Sequence, residues 1–285
     1  MSGAIAIAGY ALRESTRRRV FVVVLILTVA FLALYAVGTD AAFDSVDAEA
    51  AGAVLDVDDQ VLTGSTLLGL AMFTTLFLGC VLAVFLTLGA VRGDAERGLL
   101  QPLVVRPLGR TALLGGRFAA AAGVCGVYVG AVYTAAMTIT GMAGGWWPED
   151  PVSPGLGLVA GVILIAALSL LGSIFLSANA NGIAVFMAFG AGLAAGLLGQ
   201  IGDALNVDTL KNVAELVSWA LPFEALYQEG LNSLTEGVGG RTALIVQLGP
   251  FGGAQDAGPL LWPWSVAYLA LLAGAARLAF ARRDL

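Results

Sequence analysis

The chain of 285 residues has no histidine and one lysine, and those two facts close off most of the chemistry open to it. Without imidazole there is no histidine general acid or base, no His-ligated metal and no Ser/His dyad. Lys211 follows Leu210 rather than glycine, so there is no Gly-Lys-Ser/Thr loop to hold nucleotide phosphates. ATP hydrolysis is therefore expected on another polypeptide. The HExxH of intramembrane metalloproteases is absent, and Gln200-Ile201-Gly202-Asp203 does not match the GxGD of presenilin-type proteases. Cys80 and Cys125 sit inside apolar runs and offer no exported disulfide framework. With Met72, Met137, Met142 and Met187 they lack the CxxxM or MxxxM spacing that soft copper ligation would use.

What remains is a pattern for docking. Residues 92–117 read RGDAERGLLQPLVVRPLGRTALLGGR. Leu99, Leu100, Leu103 and Val104 form an apolar stripe, with Arg97, Arg106 and Arg110 around it and Pro107 near its end. A short amphipathic helix of this kind suits insertion into a groove on another protein. The same residues also fit a positively charged loop that only anchors topology. The RGD tripeptide at Arg92–Asp94 falls on the side expected to be cytosolic and is read as chance.

The elements that carry this segment follow from composition. Hydrophobic residues make up 59% of the chain and charged residues 12%, and the mean hydropathy is +0.89. Soluble domains are roughly 45–50% apolar and about 25% charged, so lipid must solvate part of this surface. Crossing about 30 Å of hydrocarbon takes about 20 apolar residues as a helix. Six stretches qualify: 20–38, 65–91, 118–143, 156–178, 183–201 and 260–281. Only the last contains a charge, Arg277, close enough to its end to snorkel. The expected fold is an all-α polytopic membrane protein with six transmembrane helices.

Arginines set the orientation. All of the 14 Lys+Arg residues except Lys211 and Arg241 fall in the N-terminal segment, in 92–117 or at the C-terminus. With six spans these three clusters share one face, so both termini are expected in the cytosol. Acids gather on the other face, with Asp203, Glu215, Glu224 and Glu229 among those of the long 202–259 segment. All five tryptophans flank or lie in the same outer loops, as an aromatic belt would. The pI near 4.6 reflects that acidic face and argues against nucleic acid as a partner. Arg17–Arg19 before an apolar run also resembles a signal peptide, but the run is longer than an ordinary h-region.

Two further segments lie outside the spans. Residues 3–19 place Ile5, Ala8 and Leu12 at helical spacing before the arginines, the pattern of a helix lying in the membrane surface. Residues 202–259 are far longer than a connection requires. Leu210, Val213, Leu216 and Val217 point to an amphipathic stretch ahead of Pro222, and 243–248 is apolar but too short to span. The segment reads as an outer cap built of surface helices. Within the spans, Gly126–Gly130, Gly157–Gly161 and Gly192–Gly196 have the small-xxx-small spacing of closely approaching helices.

The stretch Glu96-Arg97-Gly98, Leu103, Arg106-Pro107-Leu108, Arg110 and Leu113-Leu114-Gly115-Gly116-Arg117 resembles the cytosolic signature of ABC type-2 transporter permeases. There the corresponding segment runs Glu-x-Gly-Thr, a leucine-rich stretch, Pro-x-Ser-Arg and Leu-Leu-Gly-Lys. ALRESTRRR before the first span, Leu221-Pro222-Phe223 after the fifth and FARRDL at the end are similar to it too. Leu99, Gly109 and Arg117 stand where threonine, serine and lysine are common, which leaves side-chain roles at those positions open. The resemblance covers essentially the whole chain and implies a type V exporter-like architecture, with 3–19 as the elbow helix and the coupling helix within 92–117. It implies a second permease subunit, two ATPase subunits carrying the ATP and magnesium, and no cofactor on this chain. Membrane lipid and a bacterial or archaeal plasma membrane are implied as its setting. In that family spans two and five line the substrate path, which would place Phe73, Thr74, Thr75, Phe77, Phe85, Thr87, Phe186, Phe189 and Gln200 near it. Six-span relatives export drugs, antibiotics or lipids or serve copper maturation of nitrous-oxide reductase, and the substrate here stays open. The competing readings are an intramembrane enzyme or ion-coupled carrier and a non-transporting assembly factor. Carriers usually hold ionisable groups at mid-membrane, and the first five spans have none.

Overall fold

The computed structural model describes residues 19–50, 59–88, 110–234 and 258–281. Residues 3–18 of the expected elbow helix 3–19, the expected coupling residues from Glu96 to Pro107 and the apolar piece 243–248 lie outside the described residues. Eight helices are described: α1 (Arg19–Ala50), α2 (Asp59–Thr87), α3 (Arg110–Gly144), α4 (Ser153–Phe175), α5 (Ala178–Leu205), α6 (Asp208–Ala220), α7 (Pro222–Ser233) and α8 (Leu261–Ala281). Six of them, all but α6 and α7, are long and apolar enough to cross a membrane. The architecture is all-helical with six candidate spans, as the sequence leads one to expect. Several run past their expected limits: α1 continues to Ala50 and α3 begins at Arg110.

The core lies where α2, α3 and α4 meet. Leu68, Met72, Leu76 and Cys80 of α2 close against Val129 of α3 and Leu158, Val162 and Ile165 of α4, all essentially fully buried. Gly79 allows the three helices to converge, because a Cβ there would stand 2.8 Å from both Val129 and Val162. α1 adds Val24 and Tyr35 to this core and is tied to α3 by two hydroxyl pairs, Thr28–Tyr128 at 2.5 Å and Tyr35–Thr140 at 2.6 Å. Gly145, with φ +66°, ends α3 in the left-handed region. The Asp150 carboxylate then accepts from the Val152 and Ser153 backbone N–H groups and starts α4.

Contacts fix which ends lie together. Leu114 of α3, Ile174 of α4 and Phe280 of α8 form one small cluster. Arg110, Arg117 and Arg277 therefore belong to one end of the bundle, where α1 also begins at Arg19. Trp146, Trp147, Trp262 and Trp264 lie toward the opposite end, where α3 finishes and α8 begins.

Near the arginine end a buried polar clamp joins three spans. The Thr87 hydroxyl of α2 donates to Ser169 Oγ of α4 at 2.7 Å, and Asn181 Nδ2 of α5 donates to the Ser169 carbonyl at 2.9 Å. Gly172 leaves the space that the Asn181 amide fills. Interhelical hydrogen bonds in membranes are worth on average about 0.6 kcal/mol, up to about 1.7. Thr87→Val is expected to lower stability within that range. Asn181→Leu should cost more, because a branched apolar group replaces the donor in a niche with no spare volume. Thermal unfolding of the two variants in detergent, compared with the parent, checks both.

Candidate functional site

The segment after α5 folds back into the bundle. α6 runs antiparallel along α5: Ala214 faces Gly199, and Leu210 and Lys211 face Gly202. None of its residues is fully buried, and Val213, Leu216 and Trp219 are exposed, as expected of an amphipathic surface helix. The chain then turns at Leu221, where Pro222 supplies the first residue of α7, a position that needs no N–H donor. α7 returns toward the tryptophan end against α4 and α5, and nine of its residues, from Pro222 to Ser233, are buried.

This corrects the reading of 202–259 as a cap of surface helices. α6 fits it, but α7 is an interior element. Its docking surface consists of the two glycine pairs seen in the sequence. On α4, a Cβ at Gly157 would stand 2.7 Å from the Leu226 carbonyl oxygen, and one at Gly161 would stand 3.3 Å from that of Phe223. On α5, a Cβ at Gly192 would meet the Phe223 ring at 2.6 Å, and one at Gly196 would collide with the Glu224 carboxylate. Gly126 and Gly130 of α3 serve no such close approach: a Cβ at Gly126 would meet Val159 of α4 at 3.5 Å, ordinary contact, and Gly130 has open space beside it.

The tip of the α6–α7 hairpin thus reaches the middle of α5. There Phe223 stacks on Phe189, with ring centroids 5.7 Å apart and planes 13° apart, and Phe189 in turn meets Phe77 of α2 at 6.2 Å. Tyr227 approaches Phe73 of α2 at 6.4 Å. Three of the residues placed near a substrate path, Phe73, Phe77 and Phe189, are brought together by α7. Phe73, Phe77 and Phe85 are exposed along one face of α2, while Phe186 is partly buried against the core. Of the three threonines, Thr75 and Thr87 are buried and Thr74 is half-buried. Thr74 and Thr75 donate to the Leu70 and Ala71 carbonyls of their own helix, and Thr87 belongs to the clamp. Gln200 is half-buried on α5. Arg110 opens α3, and the other coupling residues lie outside the described part of the chain.

Glu224 is the residue that sequence reasoning misplaced. Counted among the outward-facing acids, it is instead 4% exposed at the hairpin tip. Its Oε1 accepts one hydrogen bond from Gln228 Nε2, at 2.8 Å. Burial pushes its carboxyl up, to about 7, and the Gln228 bond pulls the other way. The spans themselves are free of mid-membrane charge, but α7, which does not span, carries a carboxyl to their depth. The signal lay in the Gly157–Gly161 and Gly192–Gly196 pairs, on two helices that between them admit a third.

Beside Glu224 is a cavity of about 370 Å³ between α5, α6, α7 and the start of α8. Its polar lining is Glu224, Gln228, Lys211, Glu215 and Ser218, with Trp219 and Trp264 forming an aromatic wall. Their rings meet edge to face at 5.4 Å, and Trp264 Nε1 donates to the Trp219 carbonyl at 3.0 Å. Among the described residues no group of three or more His, Cys, Asp or Glu could hold a metal ion.

A search of curated proteins found no match. The sequence model of the family described as ABC-2 family transporter protein matches residues 5–285. That span takes in all six candidate spans, the α6–α7 hairpin and the arginine-rich segment between α2 and α3. The chain belongs to the ABC-2 family of transporter proteins, as a multi-pass membrane component of an ABC transporter.

Proposed function

We propose that the chain is the permease subunit of an ABC exporter in the cell membrane, working with a separate ATPase and a second permease subunit. The observation that supports this most is the open face of α2. Phe73, Phe77 and Phe85 are exposed there together with Leu70, although α2 is otherwise a core helix whose opposite face is buried. An exposed aromatic stripe on a central span fits a mate of the same kind, and substrate would pass along the seam between the two. Phe189 and Phe223, stacked behind that stripe, link it to the hairpin. The cytosolic side is the arginine end, so that residues 92–107 meet the ATPase. Two ATPase copies bind and hydrolyse ATP with magnesium. Their closure pushes the coupling segment and shifts the spans between inward-open and outward-open states, which requires contacts that differ between the two.

Orientation is tested by labelling. In a version lacking Cys80 and Cys125, single cysteines at Ser45 and Gln255 should react with an impermeant reagent in intact cells. Cysteines at Ser2 and Gln101 should react only after permeabilisation. External labelling at Gln101 would sink the orientation and, with it, the assigned ATPase-docking face.

A further inference from the structure

We propose that the cavity between the α6–α7 hairpin and α8 is a binding site for an alkylammonium group, held by Glu224 against the Trp219–Trp264 wall. The cavity is lined by none of the residues placed near the transport path and by none from α2, so this goes beyond the path assigned above.

Four observations converge on that chemistry. The first is an incompletely satisfied acid. Glu224 is almost fully buried, and the hydrogen bond it accepts comes from a neutral amide, that of Gln228. A buried carboxylate is costly unless it is paired. The second is an unused acceptor beside it. Gln228 spends its Nε2 on Glu224, and its buried Oε1 has no hydrogen-bond partner among the described residues. The third is the wall: tryptophan faces are the best aromatic partners for a cation, which they hold within about 6 Å of the ring centroid. The fourth is room. A cavity of about 370 Å³ lies within the roughly 300–1,000 Å³ of small-molecule sites.

Charge and donor count set the ligand class. The described lining carries two carboxylates, Glu215 and Glu224, against the one ammonium of Lys211, so its formal charge is negative. That disfavours anions. A divalent metal would need six or more oxygen ligands as calcium, or a near-ideal octahedron as magnesium, and the described lining carries two carboxylates. A single positive nitrogen bearing carbon substituents matches one carboxylate and two indoles. Gly196 is part of the design, since a side chain there would displace the carboxylate.

The test uses the full-length chain in phosphatidylglycerol nanodiscs, which contain no ammonium lipid, titrated with choline by calorimetry. Saturable binding at one site is expected. The uncharged carbon isostere of choline should bind at least about tenfold more weakly, because it keeps the shape and loses the cation–π attraction. Glu224→Gln, nearly isosteric, should weaken choline by at least about tenfold. Ser218→Lys puts an ammonium on the cavity wall without touching the buried face of α7, and should abolish binding even if the Glu224 variant proves too unstable to purify. Adding phosphatidylethanolamine to the nanodiscs separates two sources of the group. A fall in apparent choline affinity assigns the site to a lipid headgroup, and an unchanged affinity assigns it to a soluble amine. Absence of saturable binding, equal binding of the isostere, or unchanged affinity in Ser218→Lys would each overturn the proposal. None of these outcomes depends on ATPase assembly or transport.

Discussion

Gly157→Val is expected to dislodge α7 and to be among the most damaging single changes in the described helices. A Cβ at that position would stand 2.7 Å from the Leu226 carbonyl oxygen. That atom belongs to a helix backbone and cannot rotate away as a side-chain end could. The two branching methyls of valine worsen the conflict. Inserting methylenes into a packed core costs about 1–3 kcal/mol, and this case should lie at or above the top of that range. Against a total stability of roughly 5–15 kcal/mol, such a loss is large. The control is Gly130→Ala, where the space beside the glycine is open. It removes a helix-weakening glycine worth about 1 kcal/mol and should be neutral or mildly stabilising. Thermal unfolding of both variants in nanodiscs, alongside the parent, measures the difference. Equal stability of Gly157→Val and the parent would mean that α7 does not seat on α4.

The second large effect is expected at Leu103, in the segment that precedes α3. If Leu99, Leu100, Leu103 and Val104 insert into an ATPase groove, burying a leucine there is worth on the order of 1.5–3 kcal/mol. Leu103→Asp loses that contribution and adds the penalty of an unpaired buried carboxylate. The ATPase should fail to co-purify, or should hydrolyse ATP without the stimulation that the parent chain confers. Arg110→Gln, at the rim of the same stripe, should do much less, because exposed ion pairs contribute only about 0–1 kcal/mol. Both variants should still insert into the membrane, since the stripe lies outside every span. A Leu103→Asp chain that assembles and stimulates like the parent would reduce the stripe to a topological anchor.

The number of candidate spans was legible because lipid leaves a strong mark on sequence: long apolar runs, few charges and arginines gathered between them. The hairpin was harder to see. α7 carries Glu224, Gln228 and Glu229, so its composition reads as a solvated loop, and hydropathy cannot tell a buried polar helix from an exposed one. What admits it is the shape of its neighbours rather than its own sequence. Gly157, Gly161, Gly192 and Gly196 stood out by spacing, but spacing alone does not say which helix fills the groove. Gly126 and Gly130 share that spacing, yet a Cβ at Gly126 would only touch Val159 of α4 at an ordinary 3.5 Å and Gly130 has open space beside it. Thr75 and Thr87 illustrate the same gap on a smaller scale. A threonine in an apolar span can face a pore, bond its own backbone or clamp a neighbour, and only the rotation of the helix decides.

The chain is proposed to move material across a membrane on energy supplied by a different polypeptide. That proposal is tested most directly by ATP hydrolysis in nanodiscs, first with the purified chain alone and then with its ATPase subunit added. The chain alone should show no hydrolysis above background, and with the partner present it should form a stable complex whose ATPase rate depends on the permease. Nucleotide hydrolysis by the isolated chain, or an ATPase rate indifferent to its presence, would contradict the proposal.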